Sequence, residues 1–334
     1  MDIKLKRYFK TIQRERTKKF LKTALKLGAE IKIISENFKI LEIKYRNKKK
    51  FLYEDSLFLN SKPGTLFTKN KEITKILLRN VALNVPVGIH AKNYKKALFF
   101  MQKSSIDYPV VVKPIDAAKG LGVTVGVRNV RELKKAIKKI KSCLKNNPLQ
   151  CSGDFMVEKM EYGRDFRVLV VNNSVAACAE RIPAYIIGDG KSTIKELIKL
   201  FNQQRPLNYL LEIDNDLKKN LIENNLSLDA ILKKRVKITL RKNANISSGG
   251  RAVDKTSAIS QRFKDIASKA SRTLGLNYAG VDIMTKNISS NNPHQLYCVI
   301  EINGAPDYDI HEKPVIIGKG INATEIIFKE FLRN

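Results

Sequence analysis

The stretch YPVVVKPIDAAKGLGV, Tyr108 to Val123, places a lysine at the end of an apolar run and a two-glycine loop directly after it. β-Branched, alternating residues make Val110 to Pro114 a strand, and VTVGVR from Val123 to Arg128 reads as a second one. The loop between them is therefore a hairpin flap. Two phosphate-binding folds are excluded, because the GxxxxGK[ST] and GxGxxG loops both lead into a helix. A lysine ending a buried strand is costly unless its ammonium meets an anion. The small residues of AAKGLG let backbone N–H groups turn toward a phosphate. Lys113 is thus aimed at a phosphate; the competing reading is a lysine that snorkels beside an ordinary hairpin.

Around this hairpin the chain alternates helices and strands, so the fold class is α/β. Residues 1–68 form a first unit: a basic amphipathic helix from Tyr8 to about Ala29, short strands in IKIIS, FKILEIKYR and KKFLYE, and a loop at Pro63 and Gly64. Residues 69–152 form a second, with a helix capped by Asn70, a helix over Tyr94 to Lys103, and another from Val130. Residues 153–334 are richer in strands and carry a polar, helical, insertion-like stretch near 203–234. Ser192 is the expected cap of the helix STIKELIKLFNQ.

Two further groups of residues carry chemistry. In YAGVDIM and VIEING, Asp282, Glu301 and Asn303 interrupt apolar strands, and alternation puts Glu301 and Asn303 on one face. Oxygen donors alone suit magnesium that shares phosphate oxygens with a nucleotide; the alternative is a pair of solvent-facing strand-end carboxylates. In VEKMEYGRDFRVLV, backbone at Lys159 and Met160 could read an adenine edge while Asp165 accepts from a ribose hydroxyl. Taken without the other two groups, this segment is better read as a salt-bridged hairpin.

The net charge of +31 is extreme, with about +12 of it in the first fifty residues. It brings in nucleic acid as a secondary candidate partner. Lysine spread evenly along a chain rich in isoleucine and asparagine also has the blander source of an AT-rich coding bias. Cys143, Cys151, Cys178 and Cys298 lack CxxC spacing, and His90, His294 and His311 are far apart, so neither a disulfide framework nor a zinc site is expected. No run approaches a membrane span and no leader is evident, which makes the expected location cytoplasmic.

From about residue 65 onward the order of these motifs resembles the ATP-grasp ligases. The resemblance is closest to the ATP-grasp half of cyanophycin synthetase and the glutathione-synthetase part of bifunctional glutathione-forming enzymes. It rests on NKEITKILL, VVVKPIDAAKGLGV, GRDFRVLVV, AERIPAYIIGDGKSTIKELI, LRKNANISSGGRAVD, LNYAGVDIM and VIEINGAP. It implies an ATP-grasp fold and ATP-dependent joining of a carboxylate to an amine, through an acyl phosphate. It also implies ATP with magnesium, or manganese in its place, as cofactors, amino-acid or peptide substrates, and a homo-oligomer. Lys71 and Lys113 would bind phosphates, and Ala118, Lys119, Gly120 and Gly122 would form the closing flap. Glu158, Lys159 and Met160 would be the adenine hinge, with Asp165 near the ribose. Asp282, Glu301 and Asn303 would hold the metal, and Arg167, Arg181 and Arg251 the acyl phosphate and the acceptor carboxylate. A tripeptide ligase and a non-catalytic ATP-binding protein with a polyanion-binding surface are the alternatives.

The chain departs from those relatives in lacking their second ligase domains, so a free-standing enzyme is expected. From Asn303, which the resemblance assigns to the metal, it reads NGAPDYDIHEKP, in which Asp307, Asp309 and Glu312 make an acidic mouth. Local pairing with neighbouring lysines is one reading of it, and a pocket for a cationic amine is the other.

Overall fold

The computed structural model describes residues 3–54, 56–57, 59–117, 120–146 and 152–333. The N-terminal basic segment is two helices, α1 (Ile3–Thr11) and α2 (Glu15–Lys26), where the sequence pattern suggested one. Leu5, Tyr8 and Phe9 of α1 and Phe20, Leu21 and Ala24 of α2 enter the same core. In one straight helix the two sets would face directions roughly a third of a turn apart, and the break at 12–14 re-aims them. A three-stranded antiparallel meander follows: β1 (Glu30–Ser35), β2 (Ile40–Tyr45) and β3 (Lys48–Tyr53). The expected loop at Pro63 and Gly64 is instead α3 (Lys62–Thr68). Ser61 caps it by accepting from the Gly64 N–H, and a proline in the first turn loses no helical hydrogen bond. Asn70 caps α4 (Lys71–Asn80) through the N–H groups of Glu72 and Ile73.

The next sheet has the order β4 (Gly88–Ala91), β7 (Phe155–Lys159), β5 (Val110–Pro114), β6 (Thr124–Val127), all antiparallel. Two helices, α5 (Tyr94–Lys103) and α6 (Val130–Asn146), cover one face, where Val110, Val112, Phe155 and Val157 meet Ala97, Met101, Leu133 and Ile140. Alternation sends Lys113 and Glu158 to the opposite face. Phe155–Lys159, which the sequence placed in the unit starting at 153, is a central strand of this earlier sheet. Its residues fill the sheet's core, and its backbone pairs with both β4 and β5.

A six-stranded sheet makes up the rest of the frame, in the order β14, β13, β8, β9, β12, β15. Its hairpin is β8 (Arg164–Val171) and β9 (Ser174–Ile182). A small module then intervenes: β10 (Tyr185–Ile187), α7 (Ile194–Gln203), α8 (Asn215–Glu223) and β11 (Lys237–Thr239), with its own core around Ile194, Ile198, Leu217 and Leu240. The 203–234 stretch is less helical than expected, since only a short 3-10 turn at Leu207–Tyr209 and α8 are helical there. Thr193, rather than Ser192, caps α7 in a reciprocal box with Glu196, while Ser192 bonds Asp189. The sheet resumes with β12 (Arg251–Asp254); α9 (Gln261–Thr273) leads into β13 (Tyr278–Thr285), β14 (Tyr297–Asn303) and β15 (Ile316–Ile317), and α10 (Ala323–Arg333) ends the fold.

Both faces of this sheet are covered. Phe166, Val168 and Val170 of β8 pack toward α9, and Leu169 and Val171 toward α2 and α10, which is why β8 reads as a continuous apolar run. No helix among the described residues is long and apolar enough to cross a membrane.

Candidate active site

A cleft of about 710 Å3 separates the four-stranded sheet from the six-stranded one; Lys71, Lys113, Lys159, Met160, Asp282 and Glu301 are among its lining residues. On the first sheet, Lys113 and Glu158 are diagonal cross-strand neighbours, because Lys113 registers with Met156 and Val111 with Glu158. Lys113 Nζ lies 2.9 Å from Glu158 Oε2, and Lys75 of α4 closes on Oε1. Gly88 makes room for this carboxylate, since a Cβ there would stand 2.7 Å from Glu158 Cγ. Burial alone would lower the Lys113 ammonium, but Glu158 and then Glu301 hold it above its ordinary value. Burial would raise the Glu158 carboxyl, and Lys113 and Lys75 hold it below. Glu158, expected at the adenine hinge, therefore spends its side chain on lysines. The Lys159 N–H is also committed, donating to Val87 O at 2.8 Å.

Lys71 is buried at the start of α4. Its Nζ donates to Ala117 O at 2.5 Å and stands 3.4 Å from Glu301 Oε1, tying the root of the flap to β14. Gly120 and Gly122 of the flap both have left-handed φ, +75° and +72°. The left-handed φ at Gly120 favours glycine, and a Cβ there would also come within 2.4 Å of Asn245 Nδ2, so a larger residue would displace that side chain of the loop before β12. Ala118 and Lys119 lie outside the described residues.

On the second sheet the strands themselves pair the charges. Asp282 registers with Arg167, and Asp165 with Arg181. Arg167 grips Asp282 through both Nε and Nη2; Arg181 Nη2 reaches Asp165 Oδ1 at 2.7 Å and Asp282 Oδ2 at 2.9 Å. Gly280 gives Arg167 space, as a Cβ there would lie 3.0 Å from its Cδ and Nη1. Burial would raise the Asp282 carboxyl, but Arg167 and Arg181 keep it below the ordinary range. Burial outweighs Arg181 at Asp165 and pushes that carboxyl up, with Asp282 adding to the rise. Asp165, expected to accept from a ribose, is thus engaged by a guanidinium.

Asp282 registers with Glu301 across β13 and β14, beside a bulge that re-aims the strand, and Asn303 lies two residues on. Two carboxylates and an amide are hard oxygen donors, and Asp282 and Glu301 both line the cleft. No group of three or more His, Cys, Asp or Glu side chains gathers among those residues. The set fits a cation that completes its shell with phosphate and water, provided that Asp282 exchanges its guanidinium contacts.

Arg251 is held apart from these groups. Its guanidinium stacks over the rings of Tyr185 and Phe201, 4.4 and 4.7 Å from their centroids, and it is not among the cleft-lining residues. Two of the three acids in the acidic loop meet a cation. Asp307 pairs with Arg16 at 2.6 Å, Asp309 accepts from the Tyr209 hydroxyl at 2.7 Å, and Glu312 takes Lys19 and the Thr324 N–H at the start of α10. Arg16 and Lys19 pair with Asp307 and Glu312 as local pairing expects, whereas Asp309 meets only the Tyr209 hydroxyl and its Oδ1 is buried with no hydrogen-bond partner among the described residues. The sequence reading also missed Lys75, although its position one helical turn after Lys71 on α4 was a signal.

A family profile described as a RimK-like ATP-grasp domain matches residues 68–191 and 216–328. Cyanophycin synthetase of Crocosphaera subtropica is 32% identical over 256 residues, covering 73% of this chain and 28% of that protein. The glutathione biosynthesis bifunctional protein of Enterococcus faecalis is 28% identical over 328 residues, 94% of this chain and 42% of its own length. A solved bifunctional glutathione synthetase from Pasteurella multocida superposes with a TM-score of 0.66 at 25% identity, over 95% of this chain and 44% of that one. The chain spans less than half the length of these relatives. The profile covers more than two thirds of the sequence, in the segments that build both sheets and the cleft, and the chain belongs to the RimK-like ATP-grasp family.

Proposed function

We propose that this protein is an ATP-dependent ligase that joins a carboxylate to the amine of an amino acid or peptide. The observation that carries the reading is the single cleft in which Lys71 and Lys113 face Asp282 and Glu301. A carboxylate oxygen of the donor substrate attacks the γ-phosphorus of ATP, and ADP leaves. The amine then attacks the acyl carbon, phosphate leaves with the bonding electrons, and the amine proton passes to solvent or phosphate. No nucleophilic side chain is required. Lys71 and Lys113 bind phosphate oxygens and offset their charge. Asp282, Glu301 and Asn303 would hold magnesium, or manganese in its place, which supplies Lewis-acid charge on the transferred group. Arg181, and Arg167 behind it, are positioned to take over phosphoryl oxygens as Asp282 exchanges partners. The flap, packed against Asn245, excludes water that would hydrolyse the acyl phosphate.

The test is incubation with ATP, magnesium and pooled amino acids or short peptides, following ADP release and identifying the product by mass. ADP release requiring both an acid and an amine, and lost in a folded Lys113→Met protein, supports the ligase. Turnover unaffected by Lys113→Met refutes this site. A tripeptide ligase is the second reading, favoured because the glutathione-forming relative aligns over 94% of this chain, first unit included; the mass of the product separates the two.

A further inference from the structure

Lys75 belongs to neither the cleft lining nor an exposed helix face. It is 3% exposed, beneath Glu158 and Lys113, which are 2% and 5% exposed. Lys113 and Glu158 line the cleft, whereas Lys75 touches the far oxygen of the same carboxylate from behind. The groups around Lys75 are Lys71 on its own helix, Lys113 from β5, Glu158 from β7, and Cys298 and Glu301 from β14. Burial keeps Cys298 protonated, its thiol pushed up to about 12.

One carboxylate between two ammoniums leaves the trio with a net positive charge. Without Lys75, Glu158 and Lys113 would form a neutral buried pair, and an incoming phosphate would have to compete with Glu158 for the same ammonium. At low effective dielectric a whole charge at this distance alters affinity strongly. We propose that Lys75 is a positioning residue, whose ammonium occupies Glu158 so that the positive charge of Lys113 stays available to a nucleotide phosphate.

The proposal rests on reading the cleft as an ATP site. It assigns the resulting function to a lysine that does not line that cleft. It also implies a pH dependence. Burial, followed by repulsion from Lys113, lowers the Lys75 ammonium to about 8. ATP affinity should therefore fall as pH rises from 7 to 9.5, while Lys113, held above its ordinary value, keeps its proton.

Equilibrium binding of ATP to the full chain, measured calorimetrically, provides the test. Lys75→Met should weaken ATP by roughly tenfold or more, and the double variant Lys75→Met/Glu158→Gln should recover most of that loss, because no carboxylate remains to claim Lys113. Lys75→Arg should retain affinity and abolish its fall with pH. A merely structural lysine would give a double variant no better than the single one. That result, or wild-type affinity in Lys75→Met, overturns the proposal. If Lys75→Met does not fold, Lys75→Gln takes its place in both comparisons, and wild-type affinity in that variant overturns the proposal as well. A wild-type protein that binds no ATP refutes the ATP site itself; a wild type that binds, with Lys75→Met unchanged, refutes only the role of Lys75.

Discussion

The two sides of the cleft each bury a carboxylate between two cations, but they build the arrangement from different chemistry. On the four-stranded sheet Glu158 lies between Lys75 and Lys113; on the six-stranded sheet Asp282 lies between Arg167 and Arg181. Lysine is a point charge on a flexible stem and sheds its proton when burial demands it; arginine is a rigid fork that does not. The lysine trio keeps a net positive charge and the option of neutralisation, with Lys75 already lowered to about 8. The arginine cluster includes Asp165 as well, so its charges balance in place. One side thus offers charge to a ligand, and the other holds charge in reserve until Asp282 finds a different partner.

The sharpest way to break the comparison is to neutralise each shared carboxylate. Asp282→Asn strands Arg167, and removing one partner of a buried ion pair costs roughly 3–5 kcal/mol. Turnover should fall by at least about a thousandfold, because one substitution removes a proposed metal donor and the partner that positions both guanidiniums. Denaturant unfolding and ADP release check the two parts. An Asp282→Asn protein as stable and as active as wild type would show that the cluster is decorative.

Glu158→Gln should be milder, about 1–3 kcal/mol at pH 7, because Lys75 can lose its proton whereas an arginine cannot. The pH dependence separates the two clusters. The folded ammonium of Lys75 lies below its ordinary value of 10.5, so between about pH 8 and 10.5 the unfolded chain binds the extra proton, and this group makes stability rise with pH. Cys178 and Cys298 have thiols raised from 9.0 and oppose the rise above that pH, which leaves pH 8 to 9 as the readable window. The cost of Glu158→Gln should shrink between pH 7 and 9, and that of Asp282→Asn should not. Parallel curves would mean that the lysine trio is as rigidly charged as the arginine cluster.

What the sequence disclosed, and what it hid, follows the same division. Lys113, Asp282 and Glu301 were legible because a charge within an apolar strand has few reasons to be there, and Asn70 because a cap is a local interaction. Lys75 was hidden, since a lysine on an amphipathic helix looks like a solvated face until the neighbouring sheet closes over it. The partners of Asp165 depended on strand register, which alternation alone does not fix. Arg251 was assigned to the site by its loop, but the aromatic residues that stack on it come from the module between β9 and β12, whose packing no local pattern revealed. The break between α1 and α2 was equally invisible, because it answers to where two apolar faces must point in the finished core.

A third test uses a reporter beside the arginine cluster. His311 is 1% exposed, with neither ring nitrogen hydrogen-bonded among the described residues. Burial, then the charges of Arg167 and Arg181 against the opposing pull of Asp254, lowers it to about 3. Its folded value lies below its unfolded one, so its contribution is present in full above pH 6.5 and is lost as pH falls toward 3, at up to about 1.4 kcal/mol per pH unit. Over pH 6.5 to 5 the wild type should lose up to about 2 kcal/mol that a folded His311→Leu protein keeps. Equal slopes in acid denaturation would mean that the imidazole finds a partner on protonation, and that the permanent charge of the arginines is not what keeps it neutral.

The smallest effect is expected at the rim, where the acidic loop meets α2. Asp307 pairs with Arg16 at 2.6 Å, but its side chain is 48% exposed. Ion pairs in that setting contribute about 0.2–1 kcal/mol, because water and salt screen them and two long side chains must be held in one geometry. Asp307→Asn should therefore cost less than about 1 kcal/mol, and the difference should diminish further in high salt. Since the carboxylate is already matched by a cation from the first unit, the same substitution should leave the order of preferred amine acceptors unchanged. Mass-resolved product profiles for wild type and Asp307→Asn, on an equimolar mixture of lysine, arginine, glutamate and alanine acceptors, decide the point. A selective loss of the lysine and arginine products would show that Asp307 serves a cationic substrate as well as Arg16, and would bring the rim into the same category as the buried clusters.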